Sequence, residues 1–513
     1  MMGSSRARTG LLAAAVVGCM ALLSAAAPLS AQTTPQNLRI GLGSDPDALD
    51  PTLSRTVAGR VVFAGLCDKL IDIDEKLNYV PQLATAWEWS ADGKTLTMKL
   101  RPGVKFHDGE AFNAAAAKAS LDRHFSLPGS NRKNELGPLD SVEAVDDGTI
   151  ALKLKSPFAP LIAALSDRAG MMMSPKAIAA GGTFSNKPVC AGPFKFVERV
   201  AQERIVLERF ADYWDAKNVF FDKVTYLPVP DAPVRVANLR AGSLDVIETV
   251  PPTDIPVLQQ SKLAVAKGPG LAATYIAINV GETQRPKTPI MTNPKLREAL
   301  ELAIDRNLLN QAAFEGVNTP GNQSVPPGSP FYAKSLPVPG RDVAKAQALI
   351  KAAGLQRLKV EMLVPNSSGF TGPAQILQAM VAEAGIDLEL KVMETTTLLK
   401  EWTNGNFETL LILWSGRTDL DGNLYAFNAC DGTLNGGKYC NKEVDGFLNA
   451  GRTSNDFATR LAAYDKAAAL YLADRPYIYL FHPTLIYGLS PNLEGFKVVP
   501  DGLVRVTGLK VKK

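Results

Sequence analysis

Histidine is nearly missing from this chain, with three residues in 513. Five cysteines accompany them, and no His/Cys group has the spacing that zinc requires. The sequence therefore calls for no metal and no cofactor. Charge of one sign is also missing. Lys and Arg number 55 against 51 acids, a formal net charge of +4. No basic block points to nucleic acid, and no acidic tail points to disorder. Apart from Leu11–Ala27, no apolar run approaches the ~20 residues of a membrane span. Enzyme motifs fail as well. Gly432 to Lys438 fits Gly-x4-Gly-Lys, but Tyr439 stands where a Ser or Thr must hold magnesium, and no helix follows. Gly41-x-Gly43 lacks the third glycine of a dinucleotide loop. There is no Gly-x-Ser-x-Gly elbow and no His-Glu-x-x-His pair. His107 beside Asp108, and His482, are what remains for an exported hydrolase or transferase.

What is present begins with a leader. Arg6 and Arg8 open it, Leu11 to Ala27 is apolar, and Leu29-Ser30-Ala31 is a small-residue end. This reads as a secretory signal peptide over residues 1–31. Val16-Val17-Gly18-Cys19 offers the alternative of a lipoprotein anchored through Cys19, but the apolar run continues past it. No Arg-Arg pair marks a twin-arginine signal. Loss of Arg6 and Arg8 leaves a mature charge of +2. A mature chain of this length exceeds a single core, so at least two lobes are expected.

Residues 83–113 carry the most local information. Trp87 and Trp89, then alternating Leu96, Met98 and Leu100, read as two strands joined at Asp92-Gly93. Pro102-Gly103 and Asp108-Gly109 add turns, and Asn113 is placed to cap a helix from Ala114 to Arg123. The Trp-containing strand, Ser-x-Asp-Gly-Lys-Thr, the alternating strand and Leu-Arg-x-Gly-Val-Lys-Phe-His-Asp-Gly together resemble the signature of the family 5 extracellular solute-binding proteins. These serve bacterial ABC importers of the dipeptide, oligopeptide and nickel type. Cys190-Ala191-Gly192-Pro193-Phe194 is similar to the family's Gly-Pro-Tyr/Phe strand, and Arg209 to Trp214 to its Asn-x-x-Tyr-Trp element.

The resemblance implies an α/β, two-lobed clamshell of the type II periplasmic-binding-protein kind, with an extra subdomain in the larger lobe. On that expectation, residues 32–60, 188–279 and 485–513 form lobe I, 61–187 its extra subdomain, and 280–484 lobe II. Local patterning agrees with α/β. Val61 to Ile71 reads as a helix and Val142 to Leu154 as a hairpin turned at Asp147-Gly148. Val224–Val229, Asp231–Ala241 and Asp245–Glu248 read as a βαβ unit with parallel strands. Tyr275–Val280, Leu358–Val364, Leu388–Val392 and Thr409–Trp414 read as strands, with helices over 342–353, 373–384 and 457–473. Asn293-Pro294 starts another helix. Tyr477 to Tyr487 reads as the return crossing between lobes.

Four cysteines remain after the leader, an even number in an oxidising compartment. Cys430 and Cys440 enclose a short Gly/Asn-rich loop and pair easily. Cys67 and Cys190 then form a long-range bridge, or stand as two small buried residues.

The ligand signal lies after the Thr409–Trp414 strand, at Trp414-Ser415-Gly416-Arg417-Thr418-Asp419. In peptide-binding relatives Trp-[Ser/Thr]-Gly-Asp stands here, and its Asp holds an ammonium group. This chain has Arg417 instead, a rigid fork suited to a carboxylate or phosphate. The alternative is a loop ion pair with Asp419 or Asp421. In some dipeptide binders an Arg follows the Leu358 strand and holds the ligand carboxylate. Here the stretch is uncharged, with Asn366, Ser367 and Ser368. Trp414, Gly416, Arg417, Asp419, Asn366, Ser367, Ser368 and Arg55 are the candidate ligand residues; a peptide, a carboxylated metabolite and a chelated metal stay open as ligand, and the ligand is expected to carry a negative charge. The implied partners are a small solute and an inner-membrane ABC permease with its ATPase subunits, served by a periplasmic monomer.

Overall fold

Alternating short apolar strands and amphipathic helices assemble into two sheets of comparable size. The structure is a computed structural model that describes residues 36–181, 184–283 and 285–512. The expected leader and Cys19 lie outside the described residues. Strand β1 (Asn37–Leu42) starts lobe I. An inserted region follows, with β2 (Ile71–Ile73), β3 (Tyr79–Pro81), β4 (Ala84–Trp89), β5 (Thr95–Leu100), β6 (Leu139–Asp146) and β7 (Thr149–Leu154). Lobe I resumes with β8 (Phe194–Val200), β9 (Arg204–Arg209), β10 (Lys223–Pro228), β11 (Val246–Ile247) and β12 (Ala264–Pro269). Lobe II contributes β13 (Ala273–Ile278), β14 (Thr319–Pro320), β15 (Leu358–Pro365), β16 (Ile386–Met393), β17 (Thr409–Trp414) and β18 (Tyr477–His482). The chain returns to lobe I with β19 (Thr484–Leu489).

Lobe I is a seven-stranded sheet ordered β12-β19-β11-β1-β10-β9-β8. The expected βαβ unit forms around Ala232–Arg240, with β1 lying between β10 and β11 and parallel to both. Lobe II is a six-stranded sheet ordered β14-β18-β13-β17-β15-β16. Both of its faces are covered, which is why its central strands read as unbroken apolar runs. Ile276 and Ile278 of β13 enter one core, and Tyr275 and Ala277 enter the other. The inserted region has its own four-stranded antiparallel sheet, β4-β5-β7-β6, and its own core. The hairpin at Asp92-Gly93 forms as expected, with Trp89 opposite Leu96 and Gly93 at φ +66°. Asn113 caps the helix Ala114–Ser126, its side chain accepting from Ala116 N at 3.0 Å.

The lobe boundaries differ from the sequence expectation in two places. β13 pairs with β17 and β18, so the outward crossing precedes it, between Pro269 and Ala273, rather than falling at residue 280. The return crossing is at Pro483, between β18 and β19. The helix expected over 61–71 runs over Val57–Leu66, because the Thr56 hydroxyl accepts from Gly59 N and starts it earlier. Its residues Val61–Phe63 and Leu66 pack in the lobe I core, not in the insertion. The helix expected from Pro373 begins at Ser368 and carries Pro373 inside.

Both disulfides are formed. Cys67–Cys190 closes the neck of the insertion, at a sequence separation of 123, and Cys430–Cys440 closes a loop of separation 10.

Candidate functional site

A cavity of about 190 Å³ lies between the lobes, at the small end for ligand sites. Its lobe I wall comes almost entirely from the insertion: Asn131, Arg132, Asn134, Glu135, Pro160 and Arg168. Arg55 joins them from the loop after β1. The lobe II wall comes from the helix Thr395–Thr403, the end of β17 with its following loop, the helix Asp421–Asn428, the disulfide-closed loop at Thr433–Lys438, and Arg452.

β17 delivers Trp414 and Arg417 to the cavity, and Asn423 fixes the loop between them. Its Oδ1 accepts from Trp414 Nε1 and from Arg417 N, both at 2.8 Å, and its Nδ2 donates to Arg417 O at 3.0 Å. Gly416 has φ +77°, and a Cβ there would stand 2.1 Å from Leu271 O on the outward crossing. Only glycine lets this loop lie against the crossing. Gly416 thus braces the loop and is not itself among the lining residues.

Arg417 is buried and reaches across the cleft. Its Nε stands 3.0 Å from Asp167 Oδ2, its Nη2 3.5 Å from Glu135 Oε1, and its Cζ 4.3 Å from the Trp414 ring centroid. It does not pair with Asp419 or Asp421, the loop acids named above. Asp419 is taken by Arg460 at 2.7 Å, and Asp421 by Arg452 at 2.9 Å. The Arg417 position therefore couples lobes rather than closing its own loop.

Three further arginines surround the same acids. Arg60 Nε donates to Asp167 Oδ1 at 3.1 Å, and Arg132 Nη1 holds both oxygens of Glu135 at 2.7 and 2.8 Å. Arg168, 1 % exposed, donates from Nη1 to Ser54 O, which Arg132 also reaches. Arg60, Arg132, Arg168 and Arg417 thus face two carboxylates. Burial alone would raise the Asp167 carboxyl, but the facing Arg60, Arg417, Arg168 and Arg132 outweigh it and hold it well below the carboxylate range. Burial and then the neighbouring Arg132 pull the Arg168 guanidinium down, and burial pulls Arg417 down against Asp167. Arg132 Nε, Arg168 Nε and Arg417 Nη2 are buried with no hydrogen-bond partner. Asp167 Oδ2 likewise makes no hydrogen bond, although it stands 3.0 Å from Arg417 Nε; four guanidiniums desolvated against two carboxylates leave the cluster short of negative charge.

Of the residues singled out from sequence, Arg55, Trp414, Arg417 and Asp419 line the cavity, whereas Asn366, Ser367 and Ser368 do not. Those three form the entry to the helix Ser368–Ala382. Arg132, Glu135, Asp167 and Arg168 were missed, having no local motif. The histidines offered for catalysis do not line the cavity. His107 Nε2 donates to Gly192 O at 3.0 Å and its Nδ1 accepts from Cys190 N at 3.3 Å, so it ties the neck of the insertion. His482 is buried against Ala272 O. Burial lowers both to about 4, and each is a neutral structural residue. No metal-holding group and no membrane-crossing helix occurs among the described residues.

Two sheets, two crossings and a charged cavity between them define a two-lobed solute-binding clamshell. Residues 78–435 match the family model described as bacterial extracellular solute-binding proteins, family 5 middle. The chain belongs to that family, whose members deliver peptide-like solutes to ABC permeases, and it is the solute-binding component of an ABC importer. It is 33% identical to the glutathione-binding protein GsiB of Pectobacterium atrosepticum, over 90% of this chain and 92% of that one. Identity to the Escherichia coli K12 protein of the same name is 32%, over 96% and 97%. Among solved structures, the binding protein AgaA of A. tumefaciens R10 in complex with agropinic acid matches with a TM-score of 0.84 at 26% identity. It covers 93% of this chain and 99% of that one. DppA of Helicobacter pylori in complex with the peptide STSA matches with a TM-score of 0.83 at 26% identity, covering 93% and 99%.

Proposed function

We propose that this chain is exported through a cleaved signal peptide at residues 1–31 and acts in the periplasm as a monomer, binding without turnover. Its solute is a small, peptide-like molecule carrying at least one carboxylate, passed to an inner-membrane ABC permease and its ATPase subunits. The observation that carries this reading is the excess of four guanidiniums over two carboxylates at the cleft, with Arg132 Nε and Arg168 Nε buried and making no hydrogen bond. A carboxylate supplies both the charge and the acceptors they lack, and two-pronged pairing suits guanidinium. The relatives above are named for glutathione or solved in complex with agropinic acid and the peptide STSA, each of which carries a carboxylate.

Calorimetry with glutathione, and with its dialkyl ester, which keeps the ammonium but lacks both carboxylates, as the control, tests the reading. Glutathione should bind and the ester should not. Arg417→Ala should weaken glutathione binding by about 1.5–3 kcal/mol, the range for hydrogen bonds to charged groups. Binding of the ester as tight as that of glutathione, or an unaltered affinity in Arg417→Ala, would sink the charge argument.

A further inference from the structure

Arg132 and Arg168 lie on the lobe I wall and Arg417 reaches them from lobe II, but another part of the lobe II wall has a different chemistry. Leu399, Trp402, Ile412, Trp414 and Leu434 line it from lobe II. Trp402 is 7% exposed and stacks on Phe427 at 6.2 Å. A Cβ on Gly436 would stand 1.8 Å from the Trp402 ring, so glycine there keeps the indole in place. The two indoles differ in one respect. Trp414 spends its N–H on Asn423, whereas Trp402 Nε1 is buried with no partner. The polar side chain of Asn435, on the same wall, is likewise spent, donating to Ala429 O and Tyr439 O and accepting from Tyr439 N. Of the other charged residues that lobe II brings to the cavity, Asp421 is paired with Arg452 and Asp419 with Arg460, and Lys438 is exposed.

We propose that the solute is amphiphilic: its anionic end faces Arg132, Arg168 and Arg417, and an uncharged apolar group seats against Trp402, Leu399 and Leu434, where the Trp402 N–H takes an acceptor atom. This deepens the carboxylate reading and rests on it. An apolar group here removes its own surface from water and that of the wall together. A charged group would be desolvated on burial against these side chains. Arg417, stacked over Trp414, marks the border between the two ends.

The test uses four tripeptides, γ-Glu-X-Gly with X = Ala, Leu, Asp or Lys, which keep both carboxylates and the ammonium and vary only the central side chain. In calorimetry the Leu peptide should bind about tenfold tighter than the Ala peptide, and the Asp and Lys peptides should bind weaker than either. Trp402→Ala should bring the Leu-to-Ala ratio to about one. Trp402→Phe keeps an apolar ring, so it should preserve that ratio while weakening all four peptides alike, about fivefold, through loss of the N–H. Arg417→Ala should weaken all four and keep the ratio. Equal affinity for the Leu and Lys peptides overturns the apolar end and leaves the anionic reading standing. No binding by any of the four overturns both.

Discussion

Asp68 is fully buried and accepts from Trp214 Nε1 at 2.7 Å, Tyr213 Oη at 3.0 Å and Gln82 Nε2 at 2.9 Å. Burial pushes its carboxyl up to about 7 in spite of the Trp214 and Tyr213 bonds. A raised carboxyl means that the folded state holds a proton that the unfolded chain releases near 3.8. The stability this gives is present below that value and is lost as pH rises through about 7. Asp68→Asn removes the dependence. The stability of wild type relative to this variant should fall by about 1.4 kcal/mol per pH unit between pH 4 and 7. Denaturant titrations of both proteins across that window read it, and parallel curves would show that Asp68 stays ionised. At this scale the sequence was partly legible. Arg417 was found because a sign change stands out at a position with a family pattern. Arg132 and Arg168 were not, since one lies in a loop and the other opens a single turn, Arg168–Gly170. Only the tertiary fold brings them to Arg417. Asn366 to Ser368 were chosen for following a sheet strand, but they spend themselves starting a helix.

Elements that carry the cavity share a feature: each disulfide brackets one wall. Cys67–Cys190 closes the insertion that holds Asn131 to Glu135 and Pro160 to Arg168, and Cys430–Cys440 closes the loop holding Thr433 to Lys438. The first bridge sits where the Cys190 backbone also exchanges hydrogen bonds with His107, His107 N donating to Cys190 O at 2.9 Å. Loop closure over 123 residues gives on the order of 4–5 kcal/mol in the chain-entropy model. The double variant Cys67→Ala/Cys190→Ala should therefore lower the denaturation midpoint. It should also weaken solute binding, because the lobe I arginines ride on the insertion. The insertion keeps its own sheet and core, so far-ultraviolet dichroism should be unaltered. Lower stability with unchanged affinity would show that the neck is held without the bridge. Hairpins and capped helices of this insertion were readable because turn glycines and caps are local. The lobe boundary was not, since Tyr275–Val280 reads alike as a strand of either sheet and only pairing with β17 and β18 assigns it.

Across the whole molecule the lobes are joined by the Arg417 ion pairs to Asp167 and Glu135 and by a few hydrogen bonds. Arg55 Nη1 donates to Thr403 Oγ1 at 3.0 Å, Tyr79 Oη meets Thr418 Oγ1 at 3.2 Å, and Ala159 N donates to Arg452 O at 3.0 Å. Such bonds contribute about 0.5–1.5 kcal/mol each, since water replaces them on opening. Against them stands the cavity, where Arg60, Arg132, Arg168 and Arg417 are desolvated against only Asp167 and Glu135. Opening rehydrates the guanidiniums at the cost of the Arg417–Asp167 pair, so the empty cleft should favour the open state and an anion should reverse the balance by binding the closed state more tightly. The two crossings lie side by side. They meet at Gly270 and Pro483, where a Cβ on Gly270 would stand 2.9 Å from Pro483 O, and Gly416 couples the Arg417 loop to Leu271 beside them. Small-angle scattering should give a smaller radius of gyration with saturating glutathione than without it. The dialkyl ester should leave the radius at the empty value. An identical radius with and without glutathione, with binding confirmed by calorimetry, would mean that the lobes form a rigid cavity and that charge balance does not drive closure.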